Sequence, residues 1–202
     1  MTAVRGVSDA GQHVPDGSTN NFKETSSMSE RKGLVTFKGN PVTLRGKKQA
    51  KIGAKAAPFQ AVAADLSVKG LADYPGKVVI LSVVPSLDTG VCDIMSRRFN
   101  VEAGKLGDQA VVLTISRDLP FAQKRWCGTA DAKNIVTLSD FRDHSFGQGY
   151  GLEIADGPLA GLLTRAVLVV DKSGTVAYEE IVKEITTEPN YDAAIEAAKK
   201  LA

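Results

Sequence analysis

Cys92 and Cys127 are the only thiols in this chain of 202 residues. Cys92 ends the stretch PSLDTGVC, which follows the apolar run KVVILSVV and precedes DIMSRRFNVEAGKL. A thiol therefore stands where a buried strand gives way to a helix. In the first turn of a helix, a sulfur sits beside unpaired backbone N–H groups and the positive end of the helix dipole, and both favour the thiolate. The thiolate is the nucleophile, so this position can make a thiol reactive. The other reading of Cys92 is a small buried hydrophobe, and position alone does not choose between them. Thr89 lies three residues earlier, where its hydroxyl can reach the sulfur, cap the helix, or do both. Pro85 either simply ends the strand, having no N–H donor, or also shields the sulfur. Arg97 and Arg98 bring positive charge about one and a half turns up the same helix.

Cys127 closes DLPFAQKRWC, beside Trp126. On its own it reads as a buried, unreactive cysteine, with Trp126 as packing. Two cysteines cannot make a four-ligand zinc site, and His13 and His144 show no ligand spacing with them. Asp88 reads as a turn-stabilising carboxylate rather than a base, and His144 as a surface or helix-end histidine.

These residues need a scaffold, and the apolar pattern supplies one. LVTFK and PVTLR flank Gly39-Asn40 and read as a hairpin. Residues 46–57 read as a loop, and PFQAVAADLSVKGLADYPG as short strands around a turn. KVVILSVV and QAVVLTIS are continuous apolar runs, as in strands buried on both faces. Residues 91–106 fit a helix that buries Val91, Met95, Phe99 and Leu106. A second helix starts with Asp118 as N-cap and Pro120 in its first turn, and stops at Gly128. NIVTLSD is a short strand and SFGQGYG a short helix or turn. RAVLVVD and TVAYEEIV form a hairpin around Lys172-Ser173-Gly174, and YDAAIEAAKKLA is a C-terminal amphipathic helix. Parallel crossovers in the middle and a late antiparallel hairpin suit a thioredoxin-like three-layer α/β/α sandwich with an N-terminal β-hairpin. Residues 31–202 form one domain, and the polar residues 1–30 read as a disordered extension.

A formal charge of +2 gives no electrostatic case for nucleic acid or a membrane surface. The basic stretch LRGKKQAKIGAK lacks interleaved aromatics and reads as a solvated loop. No apolar run approaches the ~20 residues needed to span a bilayer. With no apolar leader at the N-terminus, a cytoplasmic location is expected. In a reducing compartment a cycling cysteine pair makes more sense than a static disulfide.

Pro85-Ser86-Leu87-Asp88-Thr89-Gly90-Val91-Cys92 has the PxxxTxxC pattern of the peroxiredoxins and resembles their bacterial thiol peroxidase branch, the atypical two-cysteine members. SRDLPFAQKRWC at 116–127 resembles the signature segment of that branch. ADGPL at 155–159 with Arg165-Ala166-Val167, and EITTEP at 184–189, agree in the same order. The resemblance covers about residues 34–202.

The resemblance implies a thiol-specific peroxidase in antioxidant defence that reduces hydrogen peroxide and organic hydroperoxides to water and alcohols, with organic hydroperoxides favoured. Cys92 would be the peroxidatic cysteine, oxidised to a sulfenic acid. Cys127 would be the resolving cysteine, which forms a disulfide with Cys92. Thr89 and Arg165 would donate to the peroxide oxygens, and Pro85 would limit solvent access. Arg165 is reached only through the resemblance, since by itself it reads as an edge-strand arginine in solvent. Thioredoxin would recycle the disulfide and the chain would be a homodimer. No metal, haem or flavin cofactor is implied. If the two cysteines start one helix and end the next, they must move to bond, because a disulfide needs Cα atoms within roughly 7 Å. Three rivals stay open: a disulfide oxidoreductase, although no CxxC turn exists here; a peroxide sensor using the same cysteines; and an inert thioredoxin-like module.

Overall fold

The computed structural model describes Met1, residues 28–47 and residues 51–202. The expectation of a disordered extension falls mostly on residues outside these. Ser29 and Glu30, assigned to that extension, lie in the first strand.

The central sheet is assembled on β5 (Val78–Val83), whose six residues are all buried. It pairs in parallel with β6 (Ala110–Ser116), and β6 pairs in parallel with β7 (Ile135–Ser139). On the other side β5 pairs antiparallel with β9 (Ala166–Val170), and β9 with β10 (Val176–Ile181). The short strands β3 (Ala61–Ala63) and β4 (Val68–Lys69) complete the order β10-β9-β5-β6-β7-β3-β4. Successive side chains of a strand point to opposite faces, so the apolar run of β5 feeds two cores. Val79, Leu81 and Val83 join one core with Leu113, Ile115 and Leu168. Val78 and Ile80 join the other with Val112, Val167 and Val169.

The second core is covered by α1 (Gly90–Leu106) and α4 (Tyr191–Leu201), with Trp126 of α2 (Pro120–Ala130) beside them. The first core is covered more thinly, by Phe146 and Tyr150 of the six-residue α3 (Ser145–Tyr150) and by Phe59. The expected α/β sandwich is the observed architecture. α1 buries Cys92, Met95, Ser96, Phe99 and Ala103, while Val91 and Leu106 are only half-buried. The inward stripe therefore begins at the cysteine.

The N-terminal hairpin joins β1 (Ser29–Phe37) to β2 (Asn40–Gly46), and β2 pairs further with β8 (Glu153–Ile154). Its turn is Lys38-Gly39, one residue earlier than expected. Both have positive φ, 51° and 77°, as a two-residue type I′ turn requires. Asn40 pairs across the ladder with Phe37. Strand β8 is too short to announce itself in the sequence. Its Glu153 accepts from Arg45 of β2 at 2.7 Å and from Arg117, just past β6, at 2.7 Å, so a buried carboxylate joins the two sheets. Arg45 is thus a strand residue with a partner, not part of a solvated loop.

The second helix departs from expectation at both ends. Asp118 does not cap it; Leu119 occupies the N-cap position, and the helix runs past Gly128 to Ala130. Asp131 ends it in the left-handed region, at φ 50°, a conformation that Asp tolerates.

Candidate active site

The segment from Pro85 to Cys92 turns the chain from the end of β5 into α1. Thr89 is the N-cap residue, with extended backbone (φ −115°, ψ 146°), and Asp93 N–H donates to its carbonyl at 2.9 Å. Gly90, Val91 and Cys92 therefore occupy the first three helical positions, where backbone N–H groups have no carbonyl one turn back to bond. The Thr89 side chain makes no capping bond. Its hydroxyl lies 2.8 Å from Cys92 Sγ and 3.0 Å from the Ser86 carbonyl. Of the two roles open to Thr89, its hydroxyl takes the one at the sulfur. It can donate to a thiolate, or accept from a thiol while donating to Ser86.

Cys92 is fully buried. Its second neighbour is Arg165, whose Nη2 lies 3.4 Å from Sγ. Arg165 is 2 % exposed and precedes β9, an interior strand, so it is no edge-strand arginine in solvent. Its Nε donates to the Ile185 carbonyl at 3.0 Å and its Nη1 to Met95 Sδ at 3.4 Å. Among the described residues no carboxylate pairs with it. A buried guanidinium without a carboxylate is costly unless another anion faces it, and the group beside it is the sulfur. Arg97 and Arg98 do not fill that role. Arg97 donates to Asp93 at 2.9 Å, and Arg98 to Asp192 at 3.4 Å.

Thr89 and Arg165 also line a pocket of about 220 Å³. Its other walls include Pro85, Val91, Phe37 of the hairpin, Leu159, Leu162 and Ile185. Pro85 is buried at the pocket wall. The pocket is mostly apolar, with Ser86, Thr89, Arg165 and Thr186 as its polar lining, so it sets a few polar groups against a greasy surround.

Two acidic residues shape this site; both lie in segments that carry the resemblance, but no local pattern around either shows this role. Asp118 accepts from Ser86 Oγ at 2.7 Å, from Leu87 N–H at 2.8 Å and from Ser116 Oγ at 2.7 Å. It clamps the turn before Cys92 to the end of β6. Glu184 accepts from Thr36 Oγ1 at 2.7 Å, from Lys38 and Gly39 N–H at 3.0 Å, and from Thr186 Oγ1 at 2.6 Å. The Thr186 hydroxyl, the Gly39 N–H and the Thr36 hydroxyl together hold the Glu184 carboxyl well below the usual carboxylate range. This staple fixes the hairpin, and with it Phe37, against the segment whose Ile185 carbonyl holds Arg165. Asp88 is exposed and faces Arg125 at 3.4 Å.

Cys127 stands in the last turn of α2, half-buried, with its Sγ 3.6 Å from Thr137 Oγ1 of β7. Both cysteines are free thiols. The structure thus brings Pro85, Thr89, Cys92 and Arg165 together, and gives Cys127 a separate partner.

Comparison with known proteins shows the family. A family model described as Redoxin matches residues 9–195. A thiol peroxidase of Streptococcus pneumoniae R6 is 54 % identical over 168 residues, 83 % of this chain and 100 % of that protein. One from Bacillus subtilis 168 is 53 % identical over 167 residues, 83 % of this chain and 97 % of that protein. The crystal structure of a peroxiredoxin-like protein from Aquifex aeolicus superposes with a TM-score of 0.78 at 41 % identity, covering 87 % of this chain and 99 % of that one. The chain belongs to the Redoxin family, within its thiol peroxidases, the peroxiredoxins that reduce peroxides.

Proposed function

We infer that Cys92 is the peroxidatic nucleophile of this thiol peroxidase and Cys127 its resolving cysteine. The observation that carries the reading is the placement of Cys92 Sγ between Thr89 Oγ1 and Arg165 Nη2, at a helix start, behind an apolar pocket. The thiolate attacks the outer oxygen of a hydroperoxide. An S–O bond forms and the O–O bond breaks; the sulfur gives up two electrons, and the leaving alkoxide takes a proton to become an alcohol, or water from hydrogen peroxide. Negative charge builds on the leaving oxygen, where the Arg165 guanidinium and the Thr89 hydroxyl can meet it. Cys127 then attacks the Cys92 sulfenic acid, forming the disulfide and releasing water. Pro85 walls the pocket and limits water at the sulfur.

The apolar walls support organic hydroperoxides as preferred substrates. Thioredoxin returns the disulfide to two thiols by exchange, in the reducing cytoplasm that such a cycle requires. The chain works as a homodimer. Among the described residues no helix is long and apolar enough to cross a membrane.

The test couples NADPH consumption to thioredoxin reductase, thioredoxin and cumene hydroperoxide. Wild type turns over and Cys92→Ser does not. Cys127→Ser reacts once with peroxide and then cycles poorly. Unchanged turnover in Cys92→Ser overturns the nucleophile assignment, and normal cycling in Cys127→Ser overturns the resolving role.

A further inference from the structure

The helices that carry the two cysteines are tied together one residue from each sulfur. Trp126, which precedes Cys127, donates its indole N–H to Asp93, which follows Cys92, at 2.8 Å. Arg97 reinforces the tie. Its Nε lies 2.9 Å from both Asp93 carboxylate oxygens, its Nη1 donates to the Ala130 carbonyl at 3.3 Å, and its guanidinium lies 5.9 Å from the centre of the Trp126 ring. One carboxylate on the first turn of α1 therefore gathers the last turn of α2 from two directions. Trp126 is 7 % exposed, so its ring is anchored in the core between the helices.

This tie stands against the second chemical step. Cys127 Sγ lies 3.6 Å from Thr137 Oγ1 on β7, at the edge of the core that α1 covers. Both thiols are free, and on the expectation that the start of α1 and the end of α2 lie beyond disulfide range, the backbone at Cys127 moves to reach Cys92, and Trp126 shares a peptide bond with it. The indole cannot keep its bond to Asp93 while the last turn of α2 unwinds. Local openings of this kind start where few interactions hold a segment, and each added interaction lowers the open population.

We propose that Trp126, Asp93 and Arg97 form a latch that holds the last turn of α2 on α1 and sets the rate at which Cys127 reaches the oxidised Cys92. They are positioning residues, since none of them lines the pocket or touches the sulfur. The proposal rests on the assignment of Cys92 and Cys127 above. It carries a consequence for damage. While the latch is closed the Cys92 sulfenic acid persists, and a second hydroperoxide can convert it to the sulfinic acid, giving one more alcohol. The latch thus sets how the sulfenic acid divides between disulfide and sulfinic acid.

The test mixes the reduced full chain rapidly with cumene hydroperoxide, quenches with acid, alkylates remaining thiols and weighs the intact protein. Loss of the Cys92 thiol reports the first step, and appearance of the Cys92–Cys127 disulfide the second. Trp126→Phe keeps an aromatic ring for Arg97 and removes the N–H, with a smaller ring in the core. Its first step stays within about twofold of wild type, which also certifies its fold. Its disulfide forms roughly three- to tenfold faster, and its sulfinic yield at high peroxide falls by a similar factor. Asp93→Asn, which keeps an acceptor oxygen but loses the charge that holds Arg97, falls between the two. Disulfide formation in Trp126→Phe that is unchanged or slower overturns the latch alone. If wild type forms no Cys92–Cys127 disulfide and behaves as Cys127→Ser does, the resolving assignment falls and the latch with it.

Discussion

Replacing Arg165 with Met tests whether the buried guanidinium serves the sulfur or merely fills space. The side chain is 2 % exposed and divides its donors among the Ile185 carbonyl, Met95 Sδ and Cys92 Sγ. At 3.4 Å, a full charge on each partner gives a gross attraction on the order of 5 kcal/mol with an effective dielectric of ~20. Desolvation cancels much of it, and hydrogen bonds to charged groups leave a net ~1.5–3 kcal/mol. That is about a 10- to 150-fold loss in the rate constant for Cys92 oxidation. Stability should respond differently. The Ile185 carbonyl loses its donor, at a cost of about 1–3 kcal/mol, but a buried charge is also removed, which is often neutral or stabilising. The two effects offset, so the urea midpoint moves little while the rate collapses. Arg165→Lys keeps a charge yet cannot bond Ile185 and the sulfur together in the same geometry, so it falls between. The assay is single-turnover oxidation by cumene hydroperoxide, with urea unfolding of the same samples. An Arg165→Met variant that oxidises within threefold of wild type refutes the assignment of this arginine to the reacting sulfur.

Three further outcomes are expected. Thr89→Val lowers the same rate constant roughly tenfold or more, because a donor 2.8 Å from the sulfur is lost; Thr89→Ser restores most of it, and a Val variant as fast as wild type removes Thr89 from the chemistry. For Glu184 the folded carboxyl titrates below its unfolded value, so its stabilisation is complete above the unfolded value of ~4.3 and fades as pH falls through the lower folded one. Glu184→Gln is less stable at neutral pH and lacks that component of acid destabilisation, which urea titrations between pH 7 and 2 would reveal as a flatter profile; parallel profiles would contradict it. Gly147→Ala loses about 1–3 kcal/mol in urea unfolding, since its added Cβ would meet Leu163 Cδ2 at 2.7 Å, Arg117 Nη2 at 2.9 Å and Asp140 Oδ2 at 3.1 Å; an unchanged midpoint means that those neighbours yield freely.

What could be read in advance follows sequence distance. The Thr89–Cys92 contact spans three residues and rests on one helix turn, so spacing alone put the hydroxyl within reach of the sulfur. Continuous apolar runs marked β5 and β6, because burial on both faces leaves no polar alternation to confuse. Arg165 is 73 residues from the sulfur that it faces, and nothing in its own neighbourhood shows that β9 lies inside the sheet. Only the resemblance to peroxiredoxins drew it in. An Asp before Leu-Pro suits a helix cap, but Asp118 takes its donors from Ser86 and Leu87 in the turn before α1. Glu184 escaped because its donors come from a hairpin 145 to 148 residues away as well as from Thr186. Gly39-Asn40 looks like the turn because Gly-Asn is a frequent turn pair, whereas the lysine in left-handed backbone that the Lys38-Gly39 turn uses is uncommon.

The same distances order the events of folding. Contacts that close short loops form at lower entropic cost than those that close long ones. Strand β5, the Pro85–Cys92 turn and α1 are contiguous, and β6 follows within the next stretch of chain, so the thiol and its hydroxyl neighbour can assemble while the rest of the polypeptide is still being made. The guanidinium, the Ile185 carbonyl that holds it and the carboxylate that staples the hairpin all come from the last forty or so residues. A nascent or truncated chain therefore carries a cysteine without its counter-charge and without its greasy wall. On the proposed role of Cys92, completion of the C-terminal strands brings the guanidinium and much of the apolar wall to the sulfur together, as the last step in building the site.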